Sequence, residues 1–156
     1  MAEHKATIKW QRTSPDFLKG KYSRAHTWYF DGGVTIPASS SPSVVPLPFS
    51  NPANVDPEEA YVASISSCHM LTFLFLASRA GLQVDSYVDD AIGFVTKNEQ
   101  GVPWVSAVTL KPKIVYSGDK LPQPADIERL HHLSHEQCFI ANSVKTVITV
   151  ASRPGT

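Results

Sequence analysis

From Ala6 to Gln11 the sequence ATIKWQ alternates small or apolar residues with polar ones, and RAHTWYF, residues 24–30, is rich in β-formers ahead of the turn DGG. This pattern predicts three strands, the second and third forming a hairpin. Six prolines fall between Pro37 and Pro57, too many for a continuous ladder, because each removes a backbone donor. That stretch reads as a long ordered loop or a mobile flap, and loops this long tend to carry function.

At Asp56 the rhythm changes. Asp is a good N-cap, Pro57 suits the first helical position, and Glu58 and Glu59 favour the positive end of the helix dipole. The predicted helix runs to the stop signal Gly81, with Arg79 in its last turn, and spans roughly 36 Å. Nearly every face from Ala60 to Ala77 carries apolar or small residues, which predicts a central helix buried all round and wrapped by strands. Residues 84–97, the turn NEQG and residues 103–118 read as a long meander hairpin. Residues 123–138 follow with Ile127, Leu130 and Leu133, together with His131 and His135, on helical spacing. A shorter helix ending near Cys138 is predicted, and SVKTVITV, residues 143–150, as the last strand. Asp89 and Asp90 read as a solvated strand edge, and DGG as a hairpin turn. The expected class is α+β, one domain over residues 1–156 with a proline-rich loop at 37–57.

Composition narrows the function. With 42% apolar residues the chain can bury a full core, and its 14 basic and 14 acidic side chains contain no basic block. Nucleic acid is therefore not an expected partner. The apolar run Met70 to Leu76 is interrupted by Thr72 and followed by Ser78 and Arg79, short of the roughly 18 residues of a spanning helix. MAEHKATIKW lacks the basic start and apolar stretch of a secretory signal. The expectation is a cytosolic protein without a membrane partner.

Only two cysteines occur, Cys68 and Cys138. In a reducing compartment they are either two unrelated buried hydrophobes or a redox pair. In a redox pair one thiolate attacks a peroxide O–O bond and the second thiol condenses with the resulting sulfenic acid. A mid-helix position gives Cys68 no dipole assistance, so its thiolate needs a cation from elsewhere. His69 is the only local offer, about 100° around the helix, and an arginine from another segment is the stronger one. A zinc-type set of His131, His135 and Cys138 with Cys68 and His69 is a competing reading, though the paired CxxC spacing of such sites is missing. His4 and His26 have no partner pattern.

The segment DPEEAYVASISSC, with Glu58 ten residues before Cys68, then the long apolar helix and CFIANSVKTVITV from Cys138, resembles the OsmC/Ohr family of osmotically induced and organic hydroperoxide resistance proteins. The element order resembles that fold over nearly the whole chain. The resemblance implies a long central helix wrapped by antiparallel sheets in an intertwined homodimer. It also implies a cofactor-free cysteine peroxidase acting on organic hydroperoxides and reduced by a dithiol, of lipoyl type in some members. Cys68 would attack, Cys138 would resolve, and Arg24, paired with Glu58, would hold the thiolate. Arg12 and Arg79 are weaker alternatives, Arg12 preceding the hairpin and Arg79 lying about 16 Å along the helix from Cys68.

Two departures stand out: Phe139 where members commonly have Pro, and His69 after the first cysteine, as in one branch of the family. Ten helical residues span about 15 Å, so Glu58 reaches Cys68 only through a bent helix start bridged by Arg24, or serves the Cys68 of a second subunit. Tyr61, Ile65, Leu71, Thr72 and Phe75 share the Cys68 side of the helix and form an expected apolar wall, with Phe49 at the mouth. The non-enzymatic alternative is a stress or small-molecule-binding protein of the same fold, with both cysteines buried and Arg24 a structural partner of Glu58.

Overall fold

The computed structural model describes residues 1–151. Its contacts divide the chain into two compact units, Met1–Ala60 and the remainder from Tyr61. The architecture is α+β, with strands and two long helices where the hydrophobic pattern places them.

In the first unit, β1 (Ala6–Lys9), β2 (His26–Phe30) and β3 (Thr35–Ala38) form an antiparallel sheet in that order. β2 and β3 are the expected hairpin, with Tyr29 opposite Thr35. Pro37 is accommodated because β3 is an edge strand, where the missing N–H breaks no ladder. The proline-rich stretch that follows is ordered. Ala38 bridges to Val55, the buried Ser39 hydroxyl accepts from the Asn51 backbone at 2.9 Å, and Asn54 donates to the Ala38 carbonyl.

Helix α1 covers Pro57–Arg79. It starts on a reciprocal cap: the Glu59 N–H donates to Asp56 Oδ1 at 2.8 Å, and the Asp56 N–H donates to Glu59 Oε2 at 3.1 Å. It ends at Gly81, whose φ of 73° suits a residue without a Cβ, and the Leu82 N–H closes back on the Ala77 carbonyl. Within the chain it is not buried all round. Ile65, His69, Phe73 and Ala77 form one buried row at four-residue spacing, while Leu71 and Phe75 remain 60% and 56% exposed. By length and composition α1 could also cross a membrane; the count of uninterrupted apolar residues misses this because its serines and threonines are small and only weakly polar.

The meander is more divided than its sequence suggests. β4 (Gln83–Asp89) pairs with β7 (Pro112–Ser117), and β5 (Ile92–Lys97) pairs with β6 (Pro103–Leu110), so one long hairpin is broken into two nested sheets. β8 (Val147–Val150) then joins β6 in parallel, Ala107 opposite Val147, whereas the other paired strands among the described residues run antiparallel. The second helix, α2 (Pro124–Gln137), begins with Pro124 at its first position and a capping box between Gln123 and Asp126, and Cys138 is its C-cap.

The buried row of α1 meets two cores. Ile65 packs with Val108 and Leu110 of β6, whereas Phe73 and Ala77 pack with Leu82 and Leu130. Each such large side chain contributes about 1.5–3 kcal/mol when fully buried. His69 lies in the row between these two cores.

Candidate active site

Cys68 is half-buried in the middle of α1, its carbonyl accepting the Thr72 hydroxyl at 3.0 Å. Cys138 is fully buried at the end of α2, where its Sγ accepts the Ala141 N–H at 3.4 Å and its own N–H closes on the Ser134 carbonyl. Both thiols are free. They are neighbours: the Cys138 thiol is pushed up to about 11, first by burial and then by the nearby Cys68 thiol, against a smaller opposing pull from the Ala141 N–H. Two cysteines 70 residues apart in sequence (138 minus 68) are thus brought together by the two helices. At neutral pH Cys138 is a protonated thiol.

Arg24 and Glu58 lie in the first unit. The Arg24 guanidinium donates to the carbonyls of Gly20, at 3.0 Å, and Tyr22, and rests 3.6 Å over the Tyr22 ring; its backbone N–H donates to the Phe49 carbonyl. Glu58, in the first turn of α1, has its carboxyl raised by burial and by the neighbouring Asp56 and Glu59 carboxylates. Among the described residues no ion pair joins Arg24 to Glu58. Arg79 leans over the Phe75 ring at 5.6 Å.

The local histidine is not the missing cation. His69 is 1% exposed, and burial, then the neighbouring His131 and His135, push it down to about 4, so it is neutral at physiological pH. Its partner is His131 of α2, with Nε2 and Nδ1 3.0 Å apart and the rings stacked at 5.3 Å. His131 is therefore a core residue, while His135 is exposed. Among the described residues no group of three or more His, Cys, Asp or Glu side chains is placed to hold a metal ion. Each imidazole spends one ring nitrogen on the other.

Asp89 is also not a solvated edge. Its carboxylate accepts the Ser66 hydroxyl from α1 and the Lys111 N–H, fastening the helix turn before Cys68 to the break between the two sheets. Only Asp90 behaves as expected, in an exposed pair with Lys113. Of the expected apolar wall, Ile65 belongs to the core and Leu71 and Phe75 are open. No sequence signal distinguishes Asp89 from Asp90, although a serine in the opposing helix is the partner a buried carboxylate would need.

Two free cysteines brought together by two helices, on an α+β scaffold with a buried histidine pair nearby, make up the candidate site. The chain belongs to the OsmC family: the model for OsmC-like protein matches residues 50–153. An OsmC-like protein of unknown function from Vibrio cholerae is 52% identical with a TM-score of 0.93, over 97% of this chain and 99% of its own. An organic hydroperoxide resistance protein from Elizabethkingia anophelis shares the fold at 16% identity, with a TM-score of 0.71 over 98% of both chains. Another, from Legionella pneumophila, does so at 14% identity and a TM-score of 0.68, over 96% of this chain and 94% of its own. No curated protein matches the chain.

Proposed function

We propose that the protein is a thiol-dependent peroxidase that reduces organic hydroperoxides through Cys68 and Cys138. The observation that carries this reading is the direct neighbourhood of the two free thiols. Family membership and the hydroperoxide resistance proteins of the same fold support it.

In this reading the Cys68 thiolate attacks one peroxide oxygen. An S–O bond forms, the O–O bond breaks, and the alkoxide takes a proton to leave as the alcohol. Cys138 then loses its proton and attacks the Cys68 sulfur, closing the disulfide as hydroxide departs and is protonated to water. An external dithiol reductant restores both thiols by exchange and becomes a disulfide itself. The thiolate requires a cation to hold its charge. We assign that role to Arg24, oriented by Glu58, in a homodimer, and place the protein in the cytosol.

The test is intact mass after one equivalent of cumene hydroperoxide, repeated with H2O2. The expected result is rapid loss of two hydrogens with Cys68 linked to Cys138, faster with the organic peroxide. Two unchanged thiols after prolonged excess would overturn the assignment.

A further inference from the structure

The buried histidines raise a question that packing does not answer. Two neutral imidazoles in a core cost desolvation, and two leucines would fill similar space without it. What an imidazole pair adds is direction. A hydrogen bond at 3.0 Å between stacked rings, with 13° between their planes, fixes both rings in rotation as well as distance. Phe73 closes the stack from α1 with its ring centroid 4.5 Å from that of His131.

The placement of each histidine relative to a cysteine gives that direction its use. His69 directly follows Cys68, so any rotation of α1 that shifts the His69 ring sweeps the Cys68 thiol through the same angle. His131 precedes Cys138 by seven residues, two helical turns, and so shares its face of α2. The residues of that face, Leu130, His131, Ser134 and Cys138, are all buried. The Ser134 hydroxyl donates back to the Leu130 carbonyl, and the Ser134 carbonyl receives the Cys138 N–H. A continuous hydrogen-bonded turn thus leads from the level of His131 to the second thiol.

We propose that His69 and His131 are positioning residues for thiol chemistry: their hydrogen bond locks α1 against α2 in the one rotational register that presents Cys68 to Cys138. The assignment rests on the dithiol reading of the site. The pair does not touch peroxide; it sets how readily the second thiol reaches the first. With it intact, a Cys68 sulfenic acid is intercepted by Cys138. Without it, the two sulfurs meet less often, and the sulfenic acid persists long enough to be trapped or oxidised further.

Two oxidants separate this inference from the peroxidase reading. Diamide accepts two electrons and two protons from a dithiol whether or not the protein reacts with peroxides; cumene hydroperoxide reports on the proposed activity. The variants are His69→Leu/His131→Leu, which replaces both partners by apolar groups and so leaves no orphaned nitrogen, and His131→Asn, whose amide occupies the Nδ1 position and retains a polar partner for His69. The double variant should unfold at a temperature close to that of the unaltered protein, yet close the Cys68–Cys138 disulfide with diamide about tenfold more slowly, the scale expected for a small misalignment. With cumene hydroperoxide and dimedone present, its Cys68 should be recovered chiefly as the dimedone adduct, where the unaltered protein gives chiefly disulfide. His131→Asn should restore much of the closure rate. Disulfide closure by the folded double variant within about twofold of the original rate would overturn the positioning role. Closure with diamide but not with peroxide in the unaltered protein would instead remove the peroxidase reading and leave the positioning role in place.

Discussion

The Ser66 hydroxyl on α1 donates to the carboxylate of Asp89 at the end of β4, two residues before the candidate nucleophile. The same carboxylate accepts the Lys111 N–H at 2.6 Å, so one side chain holds helix, strand and sheet break together.

Replacement of Asp89 should therefore be costly for a residue that is only half-buried. Asp89→Ala leaves the Lys111 N–H and the Ser66 hydroxyl without their acceptor, and a loss of about 2–3 kcal/mol is expected in urea unfolding. Asp89→Asn keeps one carbonyl oxygen and should lose less. Asp90→Ala, which removes only an exposed pair with Lys113, should change stability by less than about 1 kcal/mol. Equal effects at the two positions would contradict this division.

The cysteines should separate by role. Cys68→Ser is expected to abolish peroxide turnover, while Cys138→Ser should consume one equivalent of hydroperoxide and stop at the sulfenic acid. Because the Cys138 thiol is held up at about 11, its thiolate fraction rises roughly tenfold per pH unit below that value. Stopped-flow closure of the disulfide should accelerate accordingly between pH 7 and 9. Normal turnover in Cys68→Ser would sink the assignment of the nucleophile.

Acid should weaken the fold through the histidine pair. His69 and His131 are pushed from 6.5 down to about 4 in the folded chain. The unfolded chain then binds protons that the folded one refuses as the pH falls. Stability from this source is fully present above pH 6.5 and is lost progressively as the pH drops toward 4, on the order of a few kcal/mol. Around His69, Asp89 opposes the shift and His135 reinforces it. Urea midpoints at pH 7.5 and 4.5 should diverge in the unaltered protein and converge in His69→Leu/His131→Leu; parallel profiles in the two proteins would count against it.

Gly93 of β5 should tolerate no side chain. A Cβ built there falls 2.5 Å from Val62 Cγ2 of α1, and a β-branched valine has little freedom to retreat. Gly93→Ala is expected to cost about 1–3 kcal/mol. Combining it with Val62→Ala should recover part of that loss, and a strictly additive double variant would place the strain elsewhere.

The fold was legible where local chemistry repeats. Asp56, Pro57 and the acidic first turn announce α1, Gly81 ends it, and the alternating segments give the strands. The two cysteines were legible as candidates because so few reactive side chains accompany them. What stayed hidden depends on partners distant in sequence. His69 and His131 are 62 residues apart, and nothing in either neighbourhood says that each satisfies the other. Asp89 and Asp90 are identical to any local rule, and only the serine facing Asp89 tells them apart. How much of α1 its own chain covers stayed hidden too, because an apolar face such as that of Leu71 and Phe75 looks the same in sequence whether its own chain covers it or not.

The parallel pairing of β8 with β6 has a consequence for the second thiol. A parallel neighbour must be reached by a crossover, and here that crossover contains α2 and ends through Cys138. The docking of β8 on β6 therefore anchors the chain on the far side of α2, beyond the second thiol. In the dithiol reading proposed above, a Cys68–Cys138 bond would tie the central helix to the crossover itself, a second fastening for the segment that carries the chain to its last strand.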